Sequence, residues 1–326
     1  MTEMFDGLEV PGAFRPRSGA YAFDVDQVLR SVVALEARVP ADAFTAEILG
    51  TERIGNAVVI GPDRVLTIGY LVLEAEEVTL TTRDGRAVPA HVLGVDAETG
   101  FGLLHALEPL QLPALQLGDS RRLRPGAPVI VAGAGGVAHA LAAAVTAREP
   151  FAGYWEYALD HALFTAPAHP HWSGAALLGE AGELLGVGSL HVEARDGEEA
   201  KPGRQQNMFV PVELLGPILD DLSTGVRPHP PRPWLGVYAQ EIEGHVVVVG
   251  AQPGSPAARA ELKRGDIVHA LGGEAVSSLG DFYRRLWSLG APGVDAPLVL
   301  QREGDVFGVS VTTADRTKLL KARRLN

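Results

Sequence analysis

The 326-residue chain has no cysteine, which excludes disulfides, a thiolate nucleophile and cysteine-ligated metals. Runs of about eighteen consecutive apolar residues are also missing, so no helical membrane span is expected. The opening stretch MTEMFDGLEVPGAFRPRSG lacks the basic start and apolar centre of a secretory leader. The expected location is therefore the cytoplasm, or the periplasm if a leader has been removed. Positive charge is in short supply: 28 Lys and Arg face 40 Asp and Glu, a formal net charge of −12. Such a balance leaves no overall field to hold nucleic acid or an anionic membrane, and the basic tail from Lys318 to Arg324 reads as solvated helix surface.

What is present suits a turn-rich, mainly β protein: 46% hydrophobic residues with 38 Gly and 23 Pro. Tyr21 to Val39 begins with a short helix ahead of the first strand. Short β-branched runs then follow at Ala57 to Ile60, Val65 to Ile68, Glu77 to Thr82 and Ala87 to Val95, punctuated by Gly61-Pro62-Asp63 and Asp84-Gly85. A second set lies at Pro128 to Ala132, Leu141 to Ala147, Leu163 to Ala166, Ala176 to Leu178 and Glu183 to Leu190. Met208 to Leu222 carries apolar residues at near-helical spacing and is expected to close this region as a helix. The proline-rich stretch Arg227 to Pro233 cannot continue a helix and reads as a stiff linker. Beyond it, strand runs alternate with helices at Pro256 to Leu262 and Ser278 to Leu289. The expected domains are an N-terminal segment (1–30), a double β unit (31–225), a linker (226–233), a compact third unit (234–315) and a tail (316–326).

The stretch Phe164 to Gly188, FTAPAHPHWSGAALLGEAGELLGVG, sets Ser173 in a tight turn between two apolar runs. A serine hydroxyl attacks a carbonyl only when a base takes its proton and amide donors receive the oxyanion. His169 and His171 are the nearby imidazoles. Either they are exposed loop histidines or one of them swings toward Ser173 as a substitute base. A metal site built from them with His161 or His191 lacks a third partner visible in sequence. Gly133 to Gly136 has neither the spacing nor the lysine of a phosphate loop and reads as a β-turn. No metal and no cofactor are expected.

Several motifs in order resemble the HtrA/DegP-type trypsin-like serine proteases with a C-terminal PDZ domain. They include Leu117-Gly-Asp-Ser120, Val129 to Gly135, Met208-Phe-Val-Pro-Val212, Trp234-Leu-Gly-Val237, Gly254-Ser-Pro-Ala-Ala258, Leu262-Lys-Arg-Gly-Asp266 and Asp281 to Leu286. The resemblance implies two antiparallel β-barrels with a cleft between them, followed by PDZ. It also implies where a catalytic triad belongs. Tyr70 stands at the histidine position in Thr67-Ile-Gly-Tyr70, and Gly100 stands at the aspartate position in Asp96 to Leu104. Ser173 is the remnant nucleophile, and His171 replaces the glycine whose amide serves the oxyanion hole. A phenol is protonated at neutral pH and a poor base. The expected function is a catalytically inactive pseudoprotease that works as a peptide-binding scaffold, adaptor or chaperone-like protein; the alternative is a serine endopeptidase using Ser173 in an unconventional site.

The PDZ resemblance further implies that Trp234, Leu235, Gly236 and Val237 present amides to a peptide carboxylate, beside an open strand edge for β-augmentation. Phe282 and Leu286 are expected as the apolar contacts on the facing helix, unless Trp234 or the linker closes the groove. The partners expected are peptide C-termini or unfolded segments, with self-association into a trimer through Tyr21 and Phe23, or a partner protein.

Overall fold

The computed structural model describes residues 9–17, 19–193 and 205–321. The first eight residues of the expected N-terminal segment and the last five of the expected tail, including Arg323 and Arg324, lie outside the described residues. The chain is mainly β, as its punctuation indicated, and divides into two compact units.

The first unit holds two six-stranded closed barrels. Strands β1 (Val32–Arg38), β2 (Glu52–Val59), β3 (Arg64–Ile68), β4 (Glu77–Thr81), β5 (Ala87–Val95) and β6 (Phe101–Ala106) close in the order β1-β2-β3-β6-β5-β4. Strands β7 (Pro128–Ala132), β8 (Ala140–Gly153), β9 (Tyr157–Ala166), β10 (Ala176–Leu178), β11 (Leu184–Glu193) and β12 (Gln205–Pro211) close as β10-β11-β12-β9-β8-β7. Closure pairs every strand on both sides and leaves no edge. Val131, Leu163, Leu177 and Phe209, all 0% exposed, fill the second barrel.

Helices in this unit are short: α1 (Val25–Leu29), α2 (Ala46–Leu49) and α3 (Leu219–Thr224). The helix expected over Met208 to Leu222 is mostly something else. Met208 to Pro211 belongs to β12, single 3-10 turns follow at Val212–Leu214 and Gly216–Ile218, and only then does α3 begin. Met208, Phe209 and Val210 are buried on both strand faces, so their unbroken apolarity imitates a helical period. Pro211 and Pro217 then interrupt any longer helix.

The second unit comprises Pro150–Asp160 and His229–Lys321. The expected domain 31–225 includes 150–160; these residues, the tip of the β8–β9 hairpin, group by contact with the C-terminal unit. That unit has β13 (Pro233–Trp234), β14 (Val237–Ile242), β15 (His245–Ala251), α4 (Pro256–Arg259), β16 (Ile267–Leu271), β17 (Glu274–Ala275), α5 (Leu279–Ser288), β18 (Asp295–Arg302), β19 (Asp305–Thr312) and β20 (Ala314–Asp315). Its main sheet runs β14-β15-β16-β18-β19, with β14 at one edge. Ser278 caps α5 by accepting from the Asp281 amide, and Leu279, Phe282, Tyr283 and Leu286 form its buried face.

Candidate functional site

Ser173 lies in the turn between β9 and β10, and Asn56 of β2 pins that turn. The Asn56 amide donates to Ser173 O at 2.8 Å, and its Nδ2 donates to the carbonyls of His171 and Ser173 at 3.0 Å each. Its Oδ1 accepts from the Ala134 amide at 2.8 Å. Asn56 is 1% exposed, so each of these bonds satisfies a group that water does not reach. Gly174 follows with φ +73°, and a Cβ there would stand 1.9 Å from Asn56 O. Only glycine fits between the serine and the strand that holds it.

Tyr70 sits in a single 3-10 turn, Gly69–Leu71, directly after β3. Its hydroxyl donates to Ser189 O at 2.8 Å and also bonds Ser173 Oγ. A phenol has one hydrogen to give, so with Ser189 O taking it, the Ser173 hydroxyl is the donor to Tyr70. Burial pushes the Tyr70 phenol up to about 12, against the downward pull of its hydrogen bonds. At neutral pH it stays protonated and accepts a hydrogen bond without taking the proton. Gly100 stands between β5 and β6 at φ +83° and contributes only backbone: its carbonyl accepts from the Gly69 amide at 2.6 Å. The buried Asp96 carboxylate is turned to the Thr99 amide at 2.8 Å.

The amide of His171 donates to His169 Nδ1 at 2.9 Å. Because Nδ1 accepts, the ring carries its proton on Nε2, which lies 3.0 Å from His139 O. The His169 backbone is tied as well, its amide donating to Asn207 Oδ1 at 2.6 Å. Burial holds His169 down to about 4, a neutral ring with both nitrogens engaged. His171 is lowered too, by burial and then by His139. Among the described residues, the hydrogen-bond partner of Ser173 Oγ is Tyr70, and no imidazole bonds it. Nor do His, Asp and Glu among the described residues gather into a group that could hold a metal ion. Beside the turn, an open hollow of about 800 Å³ is lined by Phe14, Ala166, Pro167, Trp172 and His191 among others, and the Trp172 ring stacks on His191 at 5.0 Å.

In the second unit the amides of Leu235, Gly236 and Val237 converge on one point. Gly236 takes φ +73°, with Ser255 Cβ only 2.3 Å from where its own Cβ would be. The converging amides bind a carboxylate of the same chain. Glu156 accepts from Gly236 N at 2.6 Å and Val237 N at 3.0 Å through Oε1, and from Leu235 N at 3.2 Å through Oε2.

Three further expectations for this unit need correction. Trp234 is 8% exposed and paired with Ala314 in a two-stranded ladder, so it is no lip of the groove. Phe282 and Leu286, 1% and 0% exposed, belong to the core; at 3.6 residues per turn it is Tyr283 that reaches the hairpin, its hydroxyl donating to Gly153 O at 2.8 Å. The edge of β14 is not wholly open, because Ala239 N donates to Tyr154 O at 3.0 Å. Asn56, Glu156 and Tyr283 are the residues that sequence reasoning missed. A polar residue in the strand run Ile54-Gly-Asn-Ala-Val-Val59 was a usable signal for Asn56; an acid in a hairpin turn gave none for Glu156.

Comparison with known proteins agrees with this anatomy. A trypsin-like peptidase domain model matches residues 55–187, and a PDZ domain model matches 233–313. A probable periplasmic serine endoprotease DegP-like of Halomonas elongata is 26% identical over 277 residues, covering 80% of this chain and 56% of that protein. The periplasmic pH-dependent serine endoprotease DegQ of Escherichia coli K12 is 25% identical over 279 residues, covering 80% and 59%. The chain thus spans little more than half the length of these relatives. Their names place them in the periplasm, and the expectation of a cytoplasmic location finds no support there. Among solved structures, the HtrA-type protease AlgW with tripeptide superposes with a TM-score of 0.52 at 21% identity, covering 89% of this chain and 95% of that one. The serine endoprotease from Yersinia pestis gives 0.50 at 20% identity, covering 89% and 96%. No helix among the described residues is long and apolar enough to cross a membrane.

Proposed function

The chain is of HtrA/DegP type, a trypsin-like peptidase domain followed by a PDZ domain, and on that premise we propose that it is an inactive relative of serine endoproteases that binds polypeptide without cutting it. The observation that carries this reading is the destination of the Ser173 hydrogen: a phenol that stays protonated at neutral pH, in place of an imidazole. The His171 amide, at the position of an oxyanion donor, is committed to His169 and supports the same reading. Loss of the base alone in a serine triad costs on the order of 10⁶ in turnover, and the remainder rests largely on the oxyanion hole. Both are compromised here. We assign the protease-like role to 31–225 and the peptide-binding role to 234–315, with peptide C-termini or unfolded segments as partners. AlgW structures with a tripeptide and a decapeptide support a peptide ligand for this architecture. The hollow beside Trp172 supports a second contact for an apolar segment. The periplasmic names of the relatives support the periplasm as the place of work.

A fluorophosphonate probe with unfolded casein tests the inactive reading. The expected result is no labelling of the chain beyond the level of Ser173→Ala and no casein breakdown. The second reading, an unconventional endopeptidase, is favoured by the endoprotease names of the relatives. Labelling abolished by Ser173→Ala, together with casein turnover, establishes it and ends the first.

A further inference from the structure

The hairpin tip between β8 and β9 is short and ends on a left-handed residue. Three residues, Tyr154-Trp155-Glu156, join the strands, and the last of them takes φ +58°. A three-residue hairpin loop calls for a left-handed final residue, and glycine fills that place at least cost. Here a glutamate fills it, against the conformational preference of a residue with a Cβ. The strained position aims its carboxylate at the three convergent amides of Leu235, Gly236 and Val237. Tyr154 O meanwhile accepts from Ala239 N on the β14 edge, and Gly153 O accepts from Tyr283 on α5.

The tip therefore engages the three features that a peptide C-terminus would use: the amide loop, the strand edge and the facing helix. Ala152 and Ala158 on either side pack against the core of the unit, and the Trp155 and Tyr157 rings stack at 5.8 Å. A carboxylate on three convergent amides and two flanking hydrogen bonds all serve one docking, which ordinary packing of a loop does not require.

We propose that Glu156 and its hairpin tip act as an intrachain ligand of the PDZ groove, standing in for a C-terminal carboxylate and closing the site to peptides until the tip is displaced. The inference rests on the reading of this unit as a peptide-binding module. A site competent only when the tip is out binds an external peptide more weakly by the fraction of open molecules, so a tip seated 90 to 99% of the time weakens affinity by about 10- to 100-fold.

The test uses the full chain, with fluorescent decapeptides ending in a free Val, Leu or Phe carboxylate, the same peptides amidated at the C-terminus, and amide hydrogen exchange at 235–237. Glu156→Ala is expected to bind at least one free-carboxylate peptide about tenfold or more tightly than wild type, to ignore the amidated forms, and to exchange faster at 235–237. Glu156→Gln, which keeps the length of the side chain, serves as the second variant and is expected to fall between them. Equal affinity in wild type and both variants overturns the intrachain ligand and leaves peptide binding intact. Faster exchange in the variants with no peptide bound by any of them keeps the intrachain contact and defeats the peptide-binding reading instead. Unchanged exchange in both variants overturns the proposal outright.

Discussion

Ser173 is chemically defined by what receives its hydrogen. Tyr70 gives its own hydrogen to Ser189 O and accepts from Ser173, and burial keeps the phenol protonated across neutral pH. Tyr70→Phe removes both hydrogen bonds while keeping the ring. The expected cost is about 1 kcal/mol of stability, read from the urea midpoint, with fluorophosphonate labelling still absent. Labelling that appears in Tyr70→Phe would mean that the phenol alone was restraining a competent serine. Asn56 is the other decisive residue: it orients the His171 and Ser173 carbonyls, so the His171 amide is left to His169.

At the scale of elements, the β8–β9 hairpin carries the pH behaviour. Burial raises Glu156 from the ordinary 4.5 to about 7, although the three amides and Arg316 pull it down. Facing it are Arg316, the Tyr283 phenol on α5, itself raised by burial and by Glu156, and the uncharged amide loop ahead of β14. A carboxyl whose pKa is raised in the seated state favours that state when protonated. The seated tip is thus most stable below the ordinary value and loses that advantage as pH rises through about 7. Amide exchange at 235–237, corrected for its intrinsic pH dependence, is expected to quicken as pH rises from the ordinary carboxyl value toward about 7, by up to about tenfold per pH unit, to level off above that, and to be flat with pH in Glu156→Gln. A wild-type profile as flat as the variant's would contradict this.

For the whole molecule, the expectation of self-association meets a specific geometry. The Tyr21 and Phe23 rings lie 5.5 Å apart and half-buried, and Phe23 also rests beside Gly182 of its own chain. A mass of three chains by size exclusion with light scattering, falling to one chain in Tyr21→Ser with Phe23→Ser, is the outcome expected if these rings form a subunit contact. A single-chain mass for the wild type ends that reading. The net charge of −12 acts at this scale too, opposing association with other acidic surfaces in low salt.

The sequence by itself determined the order of parts: two sets of short strands, a proline-rich break and a PDZ-like unit whose glycine turns and helices are written in local residues. Strand periods and turn glycines act over a few residues, which is why the elements were legible; the roles argued for Tyr70, Gly100 and Ser173 come from the family resemblance of the motifs that hold them. Where both faces of a strand are buried, as at Met208 to Val210, the local pattern misled. Only the tertiary structure decided which donors meet which acceptors. Asn56 reaches Ser173 across 117 residues, and Glu156 reaches Gly236 across 80. No local period records such pairings; they arise when closed barrels and a packed hairpin bring distant backbone amides to one point and leave a buried polar group no other partner.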